Sequence, residues 1–230
     1  DAVDGNMRRY KEFAILYRTN AQSRTIEEAF LHYGVPYRIV GGQRFYDRKE
    51  IKDVLAYLRF IFQPADFVSF ERIINVPARG VGSVSLQRFY EWRGQQGLTL
   101  LEALGRAGEV PKLPPKAIKG LGDMYDIVKS AEIMMEDSAV VGIIDSLLRR
   151  IDYFNYLRDG TPAGEAREEN VRELLSVAKE YNELGLAGFL EEVSLVSDLD
   201  SADFGSDAVT LMTLHAAKGL EFPVVFMAGM

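Results

Sequence analysis

The sequence predicts an α/β fold in which a parallel-sheet domain is split by an all-helical insertion. Short apolar segments alternate with helical patterns over residues 13–62, and two more apolar segments follow near the C-terminal end. Everything between these regions has the spacing of helices. Alternating strands and helices are typical of a parallel sheet. We therefore expect the early and late strands to pair in one sheet.

The first region alternates strand and helix. The apolar segment Phe13 to Tyr17 predicts a strand. The pattern Thr25-x-x-Glu28 favours a capping box, and Gly34 favours the end of the helix that follows. A second strand is predicted from Tyr37 to Val40. A second helix follows, with one apolar face formed by Ile51, Val54, Leu55, Leu58 and Phe62.

The middle of the chain is predicted to be helical throughout. Ser83 and Thr99 are typical N-cap residues, and each precedes an apolar pattern. Proline and glycine predict loops at residues 111–115 and 159–164. The further helices are predicted around Leu121 to Met135, Val140 to Ile151, Val171 to Tyr181, and Phe189 to Val196.

Two apolar segments, Val209 to Leu214 and Pro223 to Met227, predict the strands that return to the sheet. We place the domain boundaries near Ala56 and Phe204. Residues 1–55 are then the first part of the α/β domain, residues 56–204 the helical insertion, and residues 205–230 the return to the α/β domain.

Composition is typical of a cytoplasmic globular protein. The 230 residues are 47% apolar, enough for one large core or two modest ones. No apolar run is long enough for a membrane span, and no N-terminal signal pattern is present. The absence of cysteine excludes disulfides and thiolate chemistry, and only two histidines, His32 and His215, are available, so we expect no metal site. The net charge of -7 disfavours a strongly basic nucleic-acid binder but permits a local positive face.

The turn between the last two predicted strands is rich in polar groups. The segment Thr213 to Phe222 reads Thr-Leu-His-Ala-Ala-Lys-Gly-Leu-Glu-Phe. Loops at strand ends frequently carry function. The simplest structural interpretation is a strand-turn-strand with solvated charges and a satisfied, partly buried His215. The order of residues is more specific, because it closely resembles motif V of the UvrD, PcrA and Rep family of superfamily-one DNA helicases.

Other segments extend this resemblance from Phe13 to the last residue. The segment from Phe13 to Arg24 resembles the start of a block in the second RecA-like domain, called 2A. Residues 35–42 and 45–53 are similar to the segment before the inserted domain, called 2B. The segment Ile74 to Gly82 resembles a 2B element that contacts duplex DNA. The resemblance implies a split RecA-like domain of the P-loop NTPase type with 2B as the helical insertion.

The resemblance also implies roles for residues of the motif V segment. Thr213 and His215 would lie beside single-stranded DNA or the cleft between domains. Gly219 would let the backbone approach the nucleotide phosphates, and Glu221 would accept a hydrogen bond from the ribose. For Lys218, the simplest interpretation is a solvated charge with no further role.

Two further segments have both a structural and a functional interpretation. Gly80, Gly82 and Ser83 could form a tight turn into a helix, but Arg79 precedes them and a helix N-terminus is a natural phosphate-binding position. With the resemblance, we favour contact with the duplex backbone by all four residues. The second segment, Tyr46 to Glu50, is either an exposed helix start capped by Asp47 or, as the resemblance implies, a structural brace with a possible strand contact.

Some sequence features of an ATPase are absent. The sequence has no Gly-x-x-x-x-Gly-Lys-Ser/Thr segment, and no Asp-Glu pair follows an apolar strand. The chain begins at Asp1 and stops at Met230, so it is expected to be a piece that lacks the first RecA-like domain. We expect no catalytic residue in it, and ATP and Mg²⁺ to be bound by the parent enzyme rather than tightly by this chain.

The resemblance implies a parent enzyme that is an ATP-dependent 3′-to-5′ DNA helicase in repair or replication. Its partners would be single-stranded DNA, a duplex junction and the first RecA-like domain of the same protein. The alternative is a non-enzymatic module whose helical middle binds a protein partner.

Overall fold

The structure of the protein is a computed structural model that describes residues 8–200 and 207–229. The predicted domain boundary near Phe204 lies outside these residues. The fold is α/β, as the sequence predicted, with a four-stranded sheet in the order β2-β3-β1-β4. Every pair of neighbouring strands is parallel. The strands are β1 (Phe13–Tyr17), β2 (Tyr37–Val40), β3 (Val209–Thr213) and β4 (Val224–Met227).

The sheet joins the two ends of the chain, and this confirms the predicted pairing of early and late strands. Ala14 pairs with Thr210 on one side and with Val225 on the other. Tyr37 pairs with Val209. Strands of parallel sheets are typically covered on both faces, and the first four residues of β3 are buried, including the polar Thr210. The core around the sheet includes Phe13, Tyr17, Tyr37, Val209 and Leu211.

The helices lie largely where the sequence predicted them, and most of them lie between β2 and β3. Residues of α6 and α7 with helical spacing are buried, among them Met124, Val128 and Ile144. The helices are α1 (Ser23–His32), α2 (Lys49–Phe62), α3 (Phe67–Ile73), α4 (Ser83–Gln96), α5 (Leu100–Gly105), α6 (Pro115–Asp137), α7 (Val140–Arg150), α8 (Tyr153–Leu157), α9 (Pro162–Glu180) and α10 (Gly185–Asp200).

The chain divides into two compact units. The sheet unit contains residues 1–51, 162–173 and 191–230, and the helical unit contains residues 52–161 and 174–190. The divisions fall inside α2, α9 and α10. The start of α9, residues 162–173, and the part of α10 from residue 191 lie in the sheet unit, although the sequence placed both within the helical insertion.

The helical unit has an aromatic interior. Phe60, Phe70 and Phe89 are fully buried. The ring centroids lie 5.3 Å apart for Phe60 and Phe70, and 6.5 Å apart for Phe70 and Phe89. Such ring pairs contribute about 0.5–1.5 kcal/mol each beyond their burial. Phe70 therefore connects α2 to α4 through α3.

Two predicted helix starts are wrong by one or two residues. α1 begins at Ser23 rather than near Thr25, because a 3₁₀ turn precedes it and is closed by a capping box between Thr19 and Gln22. α4 has Gly82 as its N-cap, and the Ser83 side chain makes no capping hydrogen bond. Thr99 does cap α5, through a capping box with Glu102.

Candidate functional site

The polar residues of the β3–β4 loop lie at the carboxyl edge of the sheet. All four strands run in one direction, so the loops that follow them open at the same edge. The loop after β1 and the loop after β3 meet, because Leu214 N donates a hydrogen bond to Tyr17 O at 3.0 Å. The turn after β2 lies close by, since a Cβ placed on Gly41 would be 3.0 Å from Cβ of Ala216. Ligands of open α/β sheets bind at this edge.

Backbone hydrogen bonds hold the β3–β4 loop in shape. The half-buried Thr213 accepts from Ala217 N at 3.2 Å with its carbonyl, and from Ala216 N at 3.3 Å with Oγ1. Leu220 N then donates to Ala217 O at 3.0 Å. Gly219 has a φ of +84°, a left-handed conformation that favours glycine. The Thr213 hydroxyl oxygen therefore stabilises the turn, whatever its other role.

Three charged or titratable side chains of this loop face solvent. His215, Lys218 and Glu221 are exposed. None of them makes a side-chain hydrogen bond or ion pair within residues 8–200 and 207–229. The interpretation of His215 as a satisfied, partly buried histidine is therefore wrong. The loop presents an imidazole, an ammonium and a carboxylate to solvent.

Sequence reasoning did not single out Arg18. This residue directly follows β1 at the same edge of the sheet, and it is exposed. Its backbone N donates to Gln22 Oε1 at 2.9 Å, which fixes the start of the loop. The available signal was the position of a cation immediately after a buried strand. Arg18 adds positive charge to the edge that carries His215 and Glu221.

A buried polar network lies inside the sheet unit. Arg48 Nη1 donates to Asn170 Oδ1 at 2.8 Å, and Arg48 Nη2 donates to Ser23 Oγ at 2.7 Å. Asn170 Nδ2 donates to Glu50 Oε1 at 2.6 Å. Glu27 accepts from the Ser23 hydroxyl and from Phe45 N. The network connects the starts of α1 and α2 to α9.

This network changes the interpretation of residues 46–50. Tyr46, Arg48 and Glu50 are buried, so the prediction of an exposed helix start is wrong; only Asp47 and Lys49 are exposed. Buried charges are kept where hydrogen bonds compensate their lost hydration. The segment is therefore a structural brace. Burial lowers the pKa of the Arg48 guanidinium, and burial, with the Glu27 carboxylate as a second cause, raises the pKa of Tyr17 to about 12.

In the helical unit, Arg79 holds the turn that precedes α4. Its Nη1 donates to the carbonyl of Ile73 at 3.0 Å, and the carbonyls of Ile74, Val76 and Pro77 lie at 3.4 Å. The guanidinium carbon lies 5.6 Å from the ring centroid of Tyr57. Arg79 is half-buried and closes the end of α3. Its Nη1 donates to neutral carbonyls, and Arg79 makes no ion pair within the residues that the structure describes.

The residues after Arg79 are presented to solvent. Gly80, Gly82 and Ser83 are exposed, whereas Val81 is buried. The Asn75 side chain fixes the turn, because Oδ1 accepts from Val81 N at 3.1 Å and Nδ2 donates to Val81 O at 2.5 Å. The first amides of α4 have no side-chain cap. Uncapped amides and the positive end of a helix dipole favour an anion here.

Within the part of the chain that the structure describes, no helix is long and apolar enough to cross a membrane. Those same residues contain no group of three or more His, Asp or Glu side chains arranged to hold a metal ion.

Comparison with known proteins identifies relatives over nearly the whole chain. The family model for the UvrD-like helicase C-terminal domain matches residues 2–108 and 121–230. The ATP-dependent DNA helicase PcrA of Staphylococcus aureus is 44% identical over 232 residues, which cover 98% of this chain and 32% of the relative. The protein of the same name from Bacillus subtilis is 42% identical over 234 residues, covering 97% of this chain and 32% of the relative. The chain thus spans about a third of the length of the curated relatives it matches.

Proposed function

The chain belongs to the UvrD-like helicase C-terminal domain family, and on that premise we propose that it works as part of an ATP-driven DNA helicase. We propose movement 3′ to 5′ along single-stranded DNA, unwinding of duplex in repair or replication, and a cytoplasmic location. The observation that carries the proposal is the exposed polar loop at the carboxyl edge of a parallel sheet.

The loop residues divide into two proposed sets. Gly219 and Glu221 are proposed to contact the nucleotide, since a backbone without a Cβ permits close approach and a free carboxylate accepts from a ribose hydroxyl. Thr213 and His215 are proposed to contact single-stranded DNA. Both sets belong to one short loop, which a backbone hydrogen bond holds to β1. A ligand that shifts the residues of one set would therefore shift those of the other. That connection would couple nucleotide state to DNA binding.

We expect this chain to supply only part of an ATP-binding site. Arg18 offers an exposed cation at the edge, but the sequence has no phosphate-binding loop. ATP bound with Mg²⁺ would supply the free energy for movement through its hydrolysis. The first RecA-like domain of the same protein is the proposed partner that holds the phosphates. This chain alone is therefore expected to show only background ATP hydrolysis, with or without single-stranded DNA.

The proposed site is tested in the whole protein by three single substitutions in the loop. Glu221→Ala should weaken nucleotide binding, and His215→Ala should lower DNA-stimulated ATP turnover more than basal turnover. Lys218→Ala is the matched control, because it removes an exposed charge of the same loop that has no proposed role. Wild-type kinetics in the first two variants would reduce the loop to a connection between strands.

We propose that the helical insertion, residues 56–204, contacts the backbone of duplex DNA at Arg79, Gly80, Gly82 and Ser83. The two parts of the α/β domain are then residues 1–55 and 205–230. The exposed turn and uncapped start of α4 support this contact. Because the net charge is -7, we expect weak binding that depends on local contacts. Such contacts position the protein without selecting sequence.

A tailed, labelled DNA hairpin tests the duplex contact by fluorescence anisotropy over a salt series. Loss of Arg79 should flatten the slope of log affinity against log salt by roughly one unit. Because Arg79 also closes α3, a second variant is needed: Ser83→Asp places a negative charge at the proposed phosphate position. Gln95→Glu adds the same charge at the far, exposed end of α4. Equal binding by these two variants would contradict the duplex contact and favour a protein-binding role for this unit.

A further inference from the structure

A cavity of about 400 Å³ lies in the helical unit beside the Arg79 turn. The turn at Pro77 to Arg79, the middle of α6 and the end of α7 line it. Its charged lining consists of Arg79, Lys119, Asp123 and Arg150. Ile127 and Ile151 supply apolar lining. This volume falls within the range of small-ligand sites, about 300–1,000 Å³.

Close packing between α6 and the turn brings these charges together. A Cβ placed on Gly120 would lie 2.8 Å from the carbonyl oxygen of Arg79 and 2.9 Å from the Arg79 Cβ. Real Cβ atoms do not approach backbone so closely, so only glycine permits α6 to pack here. Lys119 and Asp123, on either side of Gly120, thereby share a cavity with Arg79.

The lining of the cavity carries more positive than negative charge. Lys119 and Arg150 make no side-chain hydrogen bond or ion pair within residues 8–200 and 207–229, and Asp123 makes none either. The neighbouring Arg149 differs, because it pairs with Asp145 at 2.8 Å and does not line the cavity. Three cations and one carboxylate leave two positive charges around one cavity.

We propose that this cavity binds a phosphate group in its dianionic form, as free phosphate or as a phosphate monoester. Two uncompensated positive charges match a dianion, whereas a phosphodiester within a DNA strand carries one negative charge. Guanidinium groups bind phosphate oxygens through paired N–H donors, and the lysine adds a point charge. The ligand is either a small phosphorylated compound or the terminal phosphate of a DNA strand. The assignment does not depend on the duplex contact at Ser83.

Calorimetric titration of the 230-residue chain with inorganic phosphate, at constant ionic strength in chloride buffer, tests the cavity. Lys119→Gln and Arg150→Gln should each weaken binding about tenfold, as expected for loss of a charged hydrogen bond. Asp123→Asn should tighten binding, because it removes the one negative charge of the lining. Arg149→Gln is the matched control and should stay within about twofold of wild type, as surface pairs contribute little.

The source of the phosphate is distinguished with two hairpins that differ only in a 5′-phosphate or a 5′-hydroxyl end. Preference for the phosphate end that disappears in Arg150→Gln assigns the site to DNA termini. If the chain binds the two hairpins with equal affinity and also binds inorganic phosphate, the site is assigned to a small ligand. If inorganic phosphate does not bind and the two hairpins bind with equal affinity, the proposal is overturned. So does phosphate binding that Lys119→Gln and Arg150→Gln leave unchanged, with circular dichroism verifying that both variants are folded.

Discussion

The two units are stabilised by different chemistry. The interior of the sheet unit contains buried charged and polar side chains whose hydrogen bonds connect α1, α2 and α9. The helical unit is filled largely by aromatic and aliphatic side chains, with Phe60, Phe70 and Phe89 at its centre. Hydrogen bonds fix direction, whereas apolar packing fixes shape and volume. The unit that presents the proposed coupling loop is thus the one whose elements are oriented by directional bonds.

Trp92 makes this comparison measurable. It is the single tryptophan of the chain, and it is buried in the helical unit. Its fluorescence therefore reports unfolding of that unit, while far-ultraviolet circular dichroism reports helices of both units. A substitution in one unit should shift one signal more than the other.

The largest effect is expected for Phe70→Ala in the helical unit. The ring is fully buried among other aromatic rings, so its removal leaves a cavity and should destabilise the unit by about 3–5 kcal/mol. The Trp92 transition in urea should move to lower denaturant. Val68→Ala on the same helix is the control, because Val68 is 82% exposed and its loss should change stability by no more than about 0.5 kcal/mol. Similar midpoints for the two variants would contradict an aromatic core centred on Phe70.

Arg48→Met should have the next largest effect, about 3 kcal/mol, because removal of one buried charge leaves its partners uncompensated. The partners are Asn170, Ser23 and the Glu27 carboxylate, whose oxygen lies 3.9 Å from Nη2. In this variant, the unfolding transition followed by circular dichroism should begin at lower denaturant than the transition followed by Trp92 fluorescence. Arg18→Met removes an exposed arginine of the same unit and should be nearly neutral. Coincident shifts of both signals would show that the two units unfold together.

The sequence predicted the strands and most helices because apolar periodicity is a local property. It left the brace as one of two interpretations of residues 46–50 and identified none of its contacts, because the partners of Arg48 are far along the chain: Ser23 is 25 residues away and Asn170 is 122 residues away. A polar segment such as 46–50 is normally exposed, and only tertiary contacts reverse that expectation. For the same reason the sequence did not assign the start of α9 to the sheet unit.

Gly120→Ala should have an intermediate effect, because the added Cβ would collide with the backbone of Arg79. Forcing α6 and the turn apart should cost about 1–3 kcal/mol, as overpacking does. Gly122→Ala is the control: it lies on the same helix, a Cβ there meets nothing within 4 Å, and alanine should stabilise the helix by up to about 1 kcal/mol. The unfolding transition followed by Trp92 fluorescence is expected to move to lower denaturant in Gly120→Ala and to higher denaturant in Gly122→Ala. A Gly120→Ala protein as stable as wild type would contradict the close approach that forms the cavity.

The candidate site was predictable only where residue order is distinctive. The motif V segment gave Thr213, His215, Gly219 and Glu221, and the structure places them in one loop at one sheet edge. Arg18 was missed, since a cation after a strand is common and only the sheet order brings it to that edge. The cavity at Lys119 and Arg150 had no sequence signal, because its charges come from separate helices.

The smallest effect is expected at the cap of α3, in the helical unit. The Asp66 side chain accepts from Ser69 N at 3.0 Å, so Asp66→Ala should cost about 1 kcal/mol. Asp66→Asn keeps an acceptor and should cost only a few tenths of that. Burial alone would raise the pKa of Asp66, but the hydrogen bonds from Ser69 and Val68 lower it below its usual value.

The pH dependence follows from the direction of that shift. A carboxyl whose pKa is lower in the folded state stabilises the protein at pH above its unfolded pKa, and this stabilisation is lost as pH falls through the folded value. The wild type should therefore exceed Asp66→Asn in stability near pH 6, and the difference should shrink toward about pH 3. Thermal melts of both proteins followed by Trp92 fluorescence measure it. Parallel curves across that range would show that Asp66 caps α3 as a neutral acceptor would, and that its charge contributes nothing to the helical unit.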